Sequence, residues 1–84
     1  MSTEQHRRRA AELVLRCAVI TVSDTRTIAT DRGGELIVEQ LEAQGHQVVD
    51  RRIVPDEPEA IRQALQAAIA ELGADAVLLT GGTG

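Results

Sequence analysis

The chain has 84 residues, with 9 Lys+Arg against 13 Asp+Glu and a formal net charge of −4. At 43% hydrophobic and 26% charged residues it is too apolar for a disordered segment and has the balance of a globular domain. Phe, Tyr and Trp are absent, which excludes nucleic-acid binding by base stacking and an aromatic cage for a cation. No apolar run approaches the roughly 18 residues of a membrane span, so neither nucleic acid nor membrane is an expected partner.

The opening residues, MSTEQHRRRA, are basic but lack an apolar stretch behind them. They do not read as a secretory signal, and a cytoplasmic location is the expectation. Residues 1–15 form a basic extension in which Arg7, Arg8 and Arg9 precede Ala10, Ala11, Leu13 and Val14. It either stays solvated or makes a short helix, and one arginine triplet in an acidic chain is too narrow a surface for nucleic acid. Cys17 is a lone cysteine inside CAVITV, with no disulfide or metal partner, and reads as a buried small hydrophobe.

From residue 16 to 84 strand and helix patterns alternate. Arg16 to Ser23 is a β-branched run, the pattern of a parallel strand buried on both faces. A polar loop follows from Asp24 to Arg32. Ile37, Val38 and Leu41 then recur at helical spacing from Gly34 onward, and Gly45 takes the place of a helix C′ residue. His46 to Val54 reads as a second strand, more polar and so nearer a sheet edge. In Pro55-Asp56-Glu57-Pro58, Asp56 is positioned to cap a helix with Glu59 three residues on, and Pro58 is tolerated in the first turn. Ile61, Leu65, Ala68, Ile69 and Leu72 form the clearest helical stripe, closed by Gly73. Ala76 to Thr80 is a third short strand, which leads into Gly81-Gly82-Thr83-Gly84.

This order predicts an α/β fold, a doubly wound parallel sheet with helices on both faces, joined by right-handed crossovers. A domain of this size buries only about 60% of its unfolded surface. With no disulfide, no aromatic residue and a glycine turn where a further helix is expected, the chain reads as the front part of a longer domain, cut after its third strand.

In such sheets ligands bind at the carboxyl ends of the strands. Three segments fall there: Ser23-Asp24-Thr25, Pro55-Asp56-Glu57 and Gly81-Gly82-Thr83-Gly84. The glycine turn, with hydroxyls from Thr80 and Thr83, serves either tightness alone or the close approach of a phosphate. It has neither Walker A nor dinucleotide-fingerprint spacing. Asp56 is either a helix cap or a Mg²⁺ ligand beside substrate phosphates, and Glu57 a second acid or a favourable charge at a helix start. Ser23, Asp24 and Thr25 either meet a ligand or cap their own loop. Asp31 reads as a helix-start residue and Asp50 as a solvated strand residue, and isolated His6 and His46 have no role. A phospho-acceptor receiver domain is excluded, because Thr80 and glycines stand where an aspartate is required.

Taken together, Thr21 to Thr25, Asp31 with Gly34, Ile53 to Glu57 and Leu78 to Gly84 resemble the molybdopterin adenylyltransferase family of molybdenum-cofactor biosynthesis. That family comprises MogA/MoaB-like proteins and the related domains of gephyrin and plant Cnx proteins. The resemblance runs from about Cys17 to the end. It implies transfer of AMP from ATP to the terminal phosphate of molybdopterin, with Mg²⁺ as cofactor and pyrophosphate released. By the same resemblance Asp56 is the catalytic, metal-associated carboxylate. Ser23, Asp24, Thr25, Thr80, Gly81, Gly82, Thr83 and Gly84 bind cofactor and phosphate. The resemblance also implies a homotrimer or homohexamer, with a molybdenum insertion protein as a further partner. The alternative is a weakly active or inactive molybdopterin-binding paralogue that acts in an assembly. Two departures stand out. The family's second essential aspartate lies past the glycine turn, so these 84 residues alone are expected to be inactive, and Gly33 stands where the family motif has serine.

Overall fold

In the structure, a computed structural model that describes residues 13–81, three strands form one parallel sheet flanked by helices. The elements are β1 (Arg16–Val22), α1 (Arg32–Ala43), β2 (Gln47–Val54), α2 (Pro58–Gln66) continued by a π-helical turn (Ala67–Glu71), and β3 (Ala76–Gly81). The readings placed on Arg7 to Ala11 and on Gly82 to Gly84 lie outside the described residues. Leu13, Val14 and Leu15 belong to no helix.

The spatial order is β2-β1-β3 with every pair parallel. The chain steps from β1 to one neighbour and then back across β1 to the other. Two crossovers of the same hand in that order put their helices on opposite faces. The side chains agree. On β1, Ile20 and Val22 pack with Val54 and Ala64, against which Ile61, Leu65 and Val77 also lie, on the α2 face. Thr21 points the other way, to the start of α1. β1 is therefore covered on both sides, and Cys17 to Val22 are buried throughout. Burial, aided by the charge of Asp75, raises the Cys17 thiol above its ordinary range. β2 lies at an edge, as its polarity predicts.

The helix ends follow local chemistry. Asp31 caps α1 by accepting from the Gly34 amide at 3.1 Å. At the other end Gly45, at φ +90°, donates to Glu42 O, and His46 N donates to Leu41 O, the paired bonds of a Schellman motif. The α2 segment departs from the predicted stripe. Its last turn is π-helical, with Leu72 N donating to Ala67 O, so the phase of the side chains slips. Ala64 and Ala68 are buried, and Ile69, expected on the inner face, is 60% exposed. The Arg16 guanidinium closes this end by donating to Leu72 O at 2.9 Å and Gly73 O at 3.2 Å.

A polar network lies beneath the sheet's α1 face. The Thr21 hydroxyl donates to Asp31 Oδ2 at 2.6 Å, and both residues are essentially fully buried. Arg51 Nη2 donates to Asp31 O at 2.9 Å and lies 3.5 Å from Oδ2. Arg51 reaches this face because the β1–β2 register slips between Cys17 and Ala18, so that Val49 is passed over and Arg51 pairs with Val19. Without that bulge Arg51 would stand beside Ile20 and point to the α2 side. Burial alone pushes the Asp31 carboxyl up. The Thr21 hydroxyl, the Gly34 amide and the Arg51 guanidinium outweigh it, so Asp31 titrates below its ordinary 3.8. Gly34 is required here, since a Cβ would collide with Asp31 Oδ2 and sit 2.8 Å from Thr21 Oγ1.

Three measurements check this account. Gly34→Ala is expected to destabilise the fold by about 2–3 kcal/mol in urea titration, through overpacking of the buried network. A depressed carboxyl stabilises above its unfolded value and loses that contribution as pH falls through the folded one. Acid unfolding is therefore expected to steepen below pH 3.8, and Asp31→Asn to remove that component. Leu65→Ala is expected to cost about 2 kcal/mol, the low end for a leucine truncation, because Leu65 is only half-buried.

Candidate functional site

The carboxyl edge of the sheet brings Ser23 to Thr25, Pro55 to Glu57 and Gly81, the described start of the glycine turn, to one side of the molecule. Ser23 N donates to Val54 O at 2.9 Å, which ties the end of β1 to the end of β2. Asp56 N then donates to Asp24 Oδ1 at 3.0 Å, which joins the two following loops through a carboxylate. On the other side of β1, Thr21 pairs with Thr80 and Val22 with Gly81.

Each predicted residue among the described ones has a definite place. Ser23 Oγ accepts from Thr25 N at 3.3 Å and Arg26 N at 3.1 Å, so this hydroxyl caps its own loop. Asp24 is exposed and spends one oxygen on the Asp56 amide. Thr25 is exposed, and Thr80 is half-buried. A Cβ on Gly33 would lie 3.8 Å from Thr80 Oγ1, so the first turn of α1 passes close to the end of β3. Gly81 has φ +93°, and a Cβ there would come within 2.5 Å of Val22 O, so no other residue fits. The cofactor-binding expectations for Gly82, Thr83 and Gly84 lie outside the described residues.

Asp56 does not cap α2. The N-cap is Glu57, in extended conformation at φ −133° and ψ 132°, and it makes no side-chain capping bond. Pro58 is the cause: the proline ring pushes the preceding residue out of the helical region and moves the helix start one place along. Glu59, expected to complete a capping box, instead receives both the Arg62 guanidinium and the Gln63 amide. Among the described residues the exposed Asp56 carboxylate accepts no hydrogen bond.

An open cleft of about 530 Å³ lies between the β1–α1 loop and the end of β2, lined in part by Ser23, Asp24, Arg26, Thr27 and Pro55. Arg26 and Arg51 are the residues that reading by motif missed. For Arg51 a signal existed: consecutive arginines on a strand, as in Asp50-Arg51-Arg52, must point to opposite faces, and in a doubly wound sheet both faces are covered by helices.

Residues 18–84 match the family described as probable molybdopterin binding domain. The whole chain is 52% identical to molybdenum cofactor biosynthesis protein B of Halalkalibacterium halodurans and 46% identical to that of Bacillus subtilis, covering 49% of each relative. The chain thus spans about half the length of the curated relatives it matches. A crystal structure of a molybdenum cofactor biosynthesis protein B superposes with a TM-score of 0.80 at 44% identity, over 86% of this chain and 45% of that one. The chain belongs to the molybdopterin-binding domain family of the molybdenum cofactor biosynthesis proteins.

Proposed function

We propose that the intact protein adenylylates molybdopterin: AMP passes from Mg·ATP to the terminal phosphate of molybdopterin, and pyrophosphate leaves. The observation that carries this reading is the Asp56–Asp24 bond of 3.0 Å, which fixes the two loops through a backbone amide and leaves the Asp56 carboxylate unspent. Family membership supplies the substrate class.

The residues present fit Mg²⁺ as a partner of nucleotide phosphates, not as a resident ion. Among the described residues no cluster of three or more His, Cys, Asp or Glu forms a metal cage. Mg²⁺ commonly takes one or two carboxylates and completes its shell with phosphate and water, and Asp56 with the remaining oxygen of Asp24 offers that donor set. When bound, the ion neutralises phosphate charge. The chain's own part is positional. Asp56 and Asp24 would hold the ion that accompanies the nucleotide's phosphates, the turn opening at Gly81 exposes backbone to a phosphate, and Thr80 and Thr25 supply hydroxyls. The new bond forms between a molybdopterin phosphate oxygen and the α-phosphorus, as the bond from that phosphorus to the pyrophosphate oxygen breaks. Assembly as a homotrimer or homohexamer in the cytoplasm, with transfer of product to a molybdenum insertion protein, belongs to the same reading.

In the intact protein, Asp56→Asn is expected to lower Mg-dependent pyrophosphate release by about 100-fold or more. The exposed position is expected to hold stability within about 0.5 kcal/mol of the unaltered protein. Unchanged release would remove Asp56 from the reaction. Molybdopterin binding without any pyrophosphate release from the unaltered protein would establish the other reading, a binding paralogue.

A further inference from the structure

The cleft beside the β1–α1 loop carries a cation that neither the fold nor the reaction described above has used. Among the described residues, every arginine except Arg26 is engaged within the chain. Arg16 donates to Leu72 O and Gly73 O. Arg32, Arg51, Arg52 and Arg62 are paired with Glu35, Asp31, Asp50 and Glu59. Arg26 is exposed and lines the cleft, and no carboxylate among the described residues is within ion-pair range of it.

Its loop is nevertheless held. The Arg26 amide donates to Ser23 Oγ at 3.1 Å, and two residues earlier Asp24 is tied to the Asp56 amide. The next turn is closed by Thr27 N donating to Thr30 Oγ1 at 2.9 Å and by Thr30 N donating to Thr27 O at 3.0 Å. An unpaired guanidinium therefore leaves a fixed backbone, within two residues of an acid in the proposed site. Arg51 lines the same cleft, and its buried Nε has no acceptor among the described residues.

We infer that Arg26 binds a phosphate group of the substrate in this cleft. The inference rests on the adenylylation reading and adds the residue that receives the anionic end. A guanidinium matches two phosphate oxygens at once and stays charged at any working pH. Asp24, on the same cleft, would repel a bare phosphate, so binding there calls for a divalent cation on the carboxylate side and Arg26 on the other. Two substrates carry the required group: the nucleotide, as its polyphosphate, and molybdopterin, as its terminal phosphate. As the bond at the α-phosphorus breaks, its electron pair goes to pyrophosphate, and an arginine at the polyphosphate end meets charge that grows during the reaction.

The test uses the intact protein and titrates ATP, inorganic pyrophosphate and molybdopterin separately by calorimetry, with and without Mg²⁺. Arg26→Ala is expected to weaken one of the phosphate ligands by roughly tenfold, the size of a lost charge-assisted contact, and Arg26→Lys to restore part of it. Loss confined to ATP and pyrophosphate assigns the nucleotide's polyphosphate, and loss confined to molybdopterin assigns its terminal phosphate. Arg62→Ala, on the outer face of α2, is expected to leave all three affinities unchanged. If Arg26→Ala binds all three ligands as the unaltered protein does, the inference fails while adenylylation stands. If the unaltered protein binds neither ATP nor pyrophosphate with Mg²⁺, the adenylylation reading fails and Arg26 fails with it.

Discussion

The architecture depends on one buried carboxylate. Asp31 sits at the junction of β1, β2 and α1, where it receives the Thr21 hydroxyl, the Gly34 amide and the Arg51 guanidinium. A carboxylate taken from water costs several kcal/mol unless its oxygens are fully met. Here three different elements supply the partners, so none can shift without leaving a buried charge exposed to apolar surroundings. This specifies the register of β2, the entry of α1 and the small size of residue 34 at once. A chain without aromatic residues, whose buried core includes little larger than isoleucine and valine, gains definition from such a network that apolar packing alone would supply weakly.

That constraint reaches the carboxyl edge. With β1 and β2 locked in register, Ser23 and Val54 meet at the strand ends, and the loops beyond them start from fixed positions. The loops then use short polar contacts, Ser23 to Arg26 and Asp24 to Asp56, in place of regular structure. Such contacts hold the backbone while exposing side chains, as a binding loop on a rigid scaffold requires. Two of the three segments are thereby coupled directly. The third, at Gly81, is coupled to them through β1, whose Val22 leaves no room for a side chain there.

Much of this was legible in the chain itself. The buried strand, the edge strand and the helix-ending glycines at positions 45 and 73 follow from hydrophobic period and positive φ, both local properties. The carboxyl-edge rule named Ser23 to Thr25 and Pro55 to Glu57, which the structure joins at one end of the sheet, and the D-x-x-G spacing singled out Asp31 and Gly34. What it left unread depends on pairing between distant residues. The bulge at Cys17/Ala18 turns on how two strands align, so it gave no cue that Arg51 would reach Asp31. The π-helical turn shifts the side-chain phase so that Ala68 is buried and Ile69 exposed, which a fixed 3.6-residue period does not contain. Ser23 is the instructive middle case: its motif marked it for a ligand, and its hydroxyl serves the loop that carries Arg26.

The fate of Asp56 shows how local backbone chemistry prepares a site. A Pro-Asp-Glu-Pro sequence carries a good capping residue, and a cap contributes about 1 kcal/mol to a helix. Pro58 denies it, because the residue before a proline is held extended and the helix must begin from Glu57. The helix does without its side-chain cap, and the carboxylate best suited to that task remains in solvent. Its amide is meanwhile fixed by Asp24, so the group is positioned without being consumed. Moving the cap by one residue thus separates holding the loop from presenting the charge. A proline two residues after an acid, at the start of a helix, therefore marks a carboxylate that the helix cap does not consume.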